Sequence, residues 1–287
     1  MIRSRPPSRR RRVLDFPLVR IAVAAAPIVA VTIAIAAVAP ALPLGRVIAQ
    51  PLAGICTIAL YVVYVRLVER RNVAELALAG AFGEIGRGFA LGAGLFAATI
   101  TALVLVGAAT VGPGDGWIAL AEMFALAVGA ALSEEILLRA IVFRIVEGSL
   151  GTWIALAISA LLFGAMHMFN AGATLTSTVA IALEAGVVLA AAFIVTRRLW
   201  IAFGLHLAWN FTEGGVFGAS VSGGSAHGLF ASRFHGAPLL TGGAFGPEAS
   251  IVAVALCLSA GIWLIATARR SGRFVPPFWR RAVPDAG

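Results

Sequence analysis

Three short runs hold the residues whose types and spacing could do chemistry. Ser133-Glu134-Glu135-Ile136-Leu137-Leu138-Arg139 sets two carboxylates and a guanidinium inside an otherwise apolar stretch. Phe163-Gly164-Ala165-Met166-His167 and His206-Leu207-Ala208-Trp209-Asn210 follow in later apolar stretches. At the centre of a bilayer helix each ionised group costs about 2.5 to 3.5 kcal/mol, so such groups are offset by partners or retained for chemistry. Successive helical residues turn by about 100°, so Glu134 and Glu135 face different neighbours. Arg139 follows Glu135 by four residues, the favourable order for an ion pair along one face. That pairing leaves Glu134 for general acid or base work. The same spacing sets Phe163 beside His167 and His206 beside Asn210. A single intramembrane histidine is often only a structural hydrogen-bonding residue, but two of them with Glu134 ask for a common pocket.

The elements that must position these residues are membrane helices. The 287-residue chain is 60% hydrophobic and 12% charged, with a mean hydropathy of +0.97, which excludes an ordinary soluble domain. Its net charge of +9 does not indicate a nucleic-acid partner. The basic residues are all arginine and fall in short clusters between apolar runs of about 20 residues, the length that crosses a bilayer. Eight spans are expected, at 21–39, 46–65, 88–111, 117–140, 152–170, 175–196, 199–217 and 249–268. None shows the period of two of a membrane barrel strand. The expected fold class is therefore all-α, a polytopic integral membrane helix bundle of about eight transmembrane helices. The first apolar run is longer than a signal-peptide core of about 7 to 15 residues, and its best small-residue site, Ala37-Val38-Ala39, precedes Pro40; it is expected to stay as a span. Cys56 and Cys257 both lie in apolar segments and suggest neither a disulfide framework nor a metal motif.

Arginine placement sets an expected orientation. Turns after the second, fourth and sixth spans, together with both tails, hold nearly all of it, leaving only Arg46 and Arg233 on the other side. By the positive-inside rule both termini face the cytoplasm. The expected division is a basic tail at 1–20, amino-terminal helices at 21–112, a core at 113–217, an outer Gly-rich loop with the last helix at 218–268, and a basic tail at 269–287. Residues 66–87 mix arginine and glutamate with Leu and Phe and suit either a helix along the inner interface or a solvated loop. Glu134 and His167 each lie about 16 residues, roughly 24 Å, from the turn near Ser149 to Gly151, so they should sit level in the membrane. His206 lies about 12 Å past Arg198. The common pocket is therefore membrane-embedded and nearer the cytoplasmic face.

Glu-Glu-x-x-x-Arg (Glu134, Glu135, Arg139), Phe-x-x-x-His (Phe163, His167) and His-x-x-x-Asn (His206, Asn210), in that order, resemble the CPBP family of intramembrane proteases. That family includes the CAAX prenyl endopeptidases and proteins linked to bacteriocin processing and self-immunity. The resemblance covers roughly Ala121 to Phe217. It implies a helical catalytic chamber open to the cytoplasm, cleavage of a peptide bond near the membrane, and location in a bacterial cytoplasmic membrane. It also implies roles: Glu134 as the base that activates water, His167 as the residue that orients the water, His206 and Asn210 as oxyanion donors, and Glu135 and Arg139 as their support. No cofactor is favoured. A divalent metal such as zinc at Glu134, His167 and His206 is the alternative, since two histidines and a glutamate form a catalytic zinc set with an open position, but the more specific His-Glu-x-x-His pattern is missing.

The expected partners are the lipid bilayer and a membrane-associated peptide or protein substrate; no oligomeric state is implied. Glu122 and Glu184 also fall within expected spans, and Glu213 follows Asn210 closely, but none belongs to the three motifs. Trp209 either packs or shapes the pocket. Trp117, Trp153 and Trp200 suit interfacial anchors, and His227 and His235 suit a solvated loop. Two other functions compete. A proton-coupled transporter would use the same carboxylates as a relay, but no repeated half is visible. A non-catalytic scaffold or immunity protein would keep the fold without the chemistry.

Overall fold

A computed structural model describes residues 14, 16–42, 44–225 and 227–281. The arginine cluster between Arg3 and Arg12 and the last residues of the carboxyl-terminal tail lie outside the described residues. Helix α1, Pro17–Val38, starts from an extended Phe16 with proline at its first position, where the missing N–H costs nothing. Helix α2, Gly45–Tyr64, runs on through a π-helical stretch, Val65–Glu69, that Arg70 closes in the left-handed conformation. Next come α3, Ala81–Leu105, and a strand β1, Ala109–Pro113. Helix α4, Trp117–Glu135, widens into a π-helical stretch, Ile136–Phe143, before α5, Arg144–Met166. Helices α6, Leu175–Ile181, and α7, Val187–Thr196, are joined by a third such stretch, Ala182–Gly186. Helix α8, Trp200–Asn210, passes into a fourth, Phe211–Val216. A strand β2, Phe230–Phe234, a single turn α9, Pro238–Thr241, and α10, Ile251–Arg270, complete the chain.

Among the described residues, six helices are long and apolar enough to cross a membrane. The longest continuous run, Trp117–Phe169, breaks at Gly151, whose φ of 80° and ψ of 170° are not helical. A side chain there would also meet the backbone of Val275 to Pro277. The run is thus two rods. The stretch from Trp200 to Val216 is an eighth rod, slightly shorter than the rest. These eight rods follow the eight expected segments, with shifted ends. Helix α7 lies at the centre, with Val188 to Ile194 all buried. Helix α1 lies at the periphery, with only Ala24 and Ile28 buried.

Two segments differ from expectation. Residues 66–87 are not one helix: a short turn, Ala74–Leu76, interrupts them, and α3 begins at Ala81 rather than near 88. The reason is electrostatic. Glu69 and Glu75 are buried, and Glu69 accepts hydrogen bonds from Arg20, Arg71 and Arg144 at 2.5, 2.6 and 2.8 Å. Arg71 also donates to Glu75 at 2.6 Å. Burial opposes the charge of Arg71, but its bonds to Glu75 and Glu69 outweigh that and raise its pKa above the ordinary arginine value. Arg197 pairs with Glu147, and Arg198 with Glu84, at the same end of the bundle. The second difference is the Gly-rich loop, which is structured. β2 pairs antiparallel with β1, Ala109 opposite Phe234 and Pro113 opposite Phe230, and this small ribbon brings the chain back over the end of the bundle opposite the buried arginine–glutamate network.

Glycine lets the rods that carry the site approach closely. A Cβ on Gly92 would stand 2.2 Å from the carbonyl of Leu205, and one on Gly88 2.2 Å from that of Ile201, so α3 and α8 touch through their backbones. Gly92→Ala is expected to lower stability by about 1 to 3 kcal/mol through overpacking. Gly83→Ala, where a Cβ meets nothing within 4 Å, should leave it unchanged. Thermal unfolding of the two variants in the same detergent checks this.

Candidate active site

The site grows from the junction of α4 with its π-helical stretch. Glu134 and Glu135 end α4, and Arg139 lies one turn on, with no exposure at all. One guanidinium nitrogen of Arg139 donates to Glu135 Oε1 at 2.9 Å. Another points to the carbonyls of Ala185 and Gly186 at 3.4 and 3.5 Å, which the widened stretch between α6 and α7 presents. The guanidinium carbon also lies 4.8 Å from the centre of the Phe163 ring, within cation–π range. The expected pair between Glu135 and Arg139 is therefore tied to two further rods.

Glu135 Oε1 has a second partner that the spacing does not reveal. His206 Nδ1 lies 2.9 Å from it, and since a carboxylate only accepts, Nδ1 carries the proton. That turns His206 Nε2 toward Glu134, 3.9 Å from its Oε2. The separation is too long for a direct hydrogen bond and suits a bridging water. Glu135 is fully buried, whereas 26% of the Glu134 side chain is exposed. Two adjacent glutamates thus occupy different settings: Glu135 is fixed through Oε1 by Arg139 and His206, whereas the Glu134 side chain is part-exposed and makes no hydrogen bond among the described residues.

His167 caps α5, where its Nδ1 donates to the carbonyl of Phe163 at 2.7 Å, leaving Nε2 free. Its ring stacks on Phe163 at 4.8 Å, and Phe163 meets His206 edge-on at 5.8 Å. Phe163 is the ring around which Arg139, His167 and His206 assemble. Asn210 and Trp209 come from the end of α8. Trp209 is buried edge-on against Phe96 at 5.1 Å.

Two openings meet here. One is a narrow pocket of about 20 Å³, enough for one water-sized molecule, lined by residues that include His167, His206, Trp209 and Asn210. The other is a wider groove of about 280 Å³ lined by Glu134, Ser133 and Met166 with Ile28, Val29, Thr32 and Ile33 of α1. Glu134 lines that groove with Met166, whereas His167 and His206 line the narrow pocket, so the Glu134–His206 gap joins a residue of one opening to a residue of the other. Among the described residues, no three His, Cys, Asp or Glu side chains converge as metal ligands. Glu134, His167 and His206 therefore do not form a three-donor set in this arrangement.

The remaining candidates separate. Glu122 is exposed and lines neither opening, whereas Glu184 lines the narrow pocket. Glu213 is fully buried and lies against Glu248. Glu248, which sequence reasoning missed, also lines the pocket and accepts the backbone N–H of Ser222 at 2.6 Å. No periodicity marks Glu248; the only signal is an acid beside the start of an apolar run.

Residues 116–212 match the family model described as type II CAAX prenyl endopeptidase Rce1-like. The match covers about a third of the chain and includes all seven motif residues, but neither Glu213 and Glu248 nor helices α1 to α3. It agrees with the resemblance to the CPBP family and supports a CAAX-type intramembrane protease. No curated protein and no solved structure shows a significant match to the chain.

Arg139→Met removes the guanidinium bonded to Glu135 Oε1, leaving a buried carboxylate short of a partner. The expected loss is about 3 to 5 kcal/mol, seen as a large fall in the thermal unfolding temperature in detergent. An unchanged transition would contradict the geometry.

Proposed function

We propose that the protein is an intramembrane endopeptidase in which Glu134 activates water to hydrolyse a peptide bond of a membrane-associated protein or peptide. The observation that carries this reading is the 3.9 Å gap between Glu134 Oε2 and His206 Nε2, beside a Glu135 already committed to Arg139 and His206. A water in the gap would give its proton to Glu134 as its oxygen attacks the scissile carbonyl carbon. Glu134 then returns that proton to the departing amine. His167, with Nδ1 held by the Phe163 carbonyl, would accept from the water at Nε2 and orient it. The developing oxyanion would be stabilised by Asn210 and by His206, whose imidazolium form Glu135 supports from the Nδ1 side.

On this reading residues 113–217 form the catalytic core. The arginine-rich end of the bundle, by the positive-inside rule, would face the cytoplasm of a bacterial cell with both termini. Water activation by glutamate alone is favoured over a metal mechanism because the donors are spread over two openings. The substrate need not carry a prenyl group, since nothing in this reaction uses one.

Comparative membrane peptidomics of cells carrying the wild-type protein or Glu134→Gln tests the proposal. Loss of the general base should reduce a specific fragment by about 10² to 10⁴-fold, with the variant inserted at the wild-type level. The same fragments at equal abundance in both would rule out Glu134 as the base.

A further inference from the structure

Among the described residues, the acids at the arginine-rich end have cations: Glu69, Glu75, Glu84 and Glu147 each pair with an arginine, as Glu135 does deeper in the bundle. The narrow pocket is different. Glu184 and Glu248 both line it, 2% and 3% exposed, and Glu213 lies directly behind Glu248. Among the described residues, no arginine or histidine forms an ion pair with any of the three. Glu184 Oε1 accepts the weak Cys257 thiol at 3.6 Å, and its Oε2 has no hydrogen-bond partner among the described residues despite burial. Leaving such a group unmatched is costly, and the aromatic ring of Trp209 that lines the same space also favours a cation.

We propose that Glu184 and Glu248 form a subsite for a positively charged side chain of the substrate, an amine of the lysine type, next to the scissile bond. This deepens, and rests on, the protease reading, because the same pocket holds His167, His206 and Asn210. Its narrowness selects the cation. A space of about one water molecule matches an ammonium head group alone, with its alkyl stem outside, whereas a planar guanidinium needs more room. Its three N–H donors can serve Glu184 and Glu248 together. Neither glutamate was assigned by the motifs, and Glu248 lies outside the matched family segment.

The test uses the full-length protein in proteoliposomes with a cleaved peptide varied near the scissile bond to lysine, norleucine or arginine. At one position, lysine should exceed norleucine in kcat/KM by about tenfold, the scale of one charge-assisted hydrogen bond, chiefly through KM. In the Glu184→Gln/Glu248→Gln double variant the ratio should fall to about one. If the double variant does not fold, Glu184→Gln alone takes its place. An equal ratio in wild type and variant overturns the subsite, and a preference for arginine over lysine overturns the ammonium assignment. A second arm does not depend on cleavage: n-butylammonium, compared with 1-butanol at matched ionic strength, should raise the thermal unfolding temperature of the wild type and not of the variant. If no peptide is cleaved, the protease reading fails while this arm still decides the subsite; equal responses of wild type and variant to n-butylammonium overturn it.

Discussion

The structure depends on a charge buried where neither water nor lipid can solvate it. Arg139 has no exposed surface, and its guanidinium is neutralised by Glu135, held near the carbonyls of Ala185 and Gly186, and faced by Phe163. Each partner comes from a different rod, and Glu135 passes the constraint on to His206. A buried ion pair contributes little net stability, because desolvation offsets most of its attraction, but losing either partner is expensive. The consequence is specificity of arrangement: α4, α5, α8 and the segment joining α6 to α7 meet in one register, and that register fixes His206 Nε2 opposite Glu134.

The π-helical stretches have a related part. The helices widen at Ile136–Phe143, Ala182–Gly186 and Phe211–Val216, and these stretches carry Arg139, Glu184 and Glu213 and begin directly after Glu135 and Asn210. Widening a helix turns its following residues and weakens the hydrogen-bond ladder locally, a cost usually borne at functional sites. Here it frees the Ala185 and Gly186 carbonyls to face Arg139. The glycine contacts between α3 and α8 are the apolar counterpart, bringing His206 inward by letting backbones touch.

Much of this was legible in the sequence. Apolar run length located the eight rods, since a bilayer dictates it, and helical spacing identified the Glu135–Arg139 pair and the Phe163–His167 stack. What was not legible depends on contacts distant in sequence. The bond from His206 to Glu135 joins residues 71 positions apart, and the burial of Glu69 depends on arginines from three segments. The β1–β2 ribbon is short, and its Gly-rich surroundings hide its alternation. Glu248 escaped notice because it belongs to a loop that folds back onto the pocket.

The central claim is that neighbouring glutamates divide the work, Glu135 holding the structure and Glu134 left free for chemistry. Thermal unfolding of Glu134→Gln and Glu135→Gln in the same detergent tests that division most directly. The account expects Glu135→Gln to unfold well below the wild type, because Arg139 and His206 lose their shared anion. Glu134→Gln should match or exceed the wild type, since its part-exposed carboxylate hydrogen-bonds neither Arg139 nor His206 and so contributes little to stability. The opposite order, with Glu134→Gln strongly destabilised and Glu135→Gln unaffected, would contradict it.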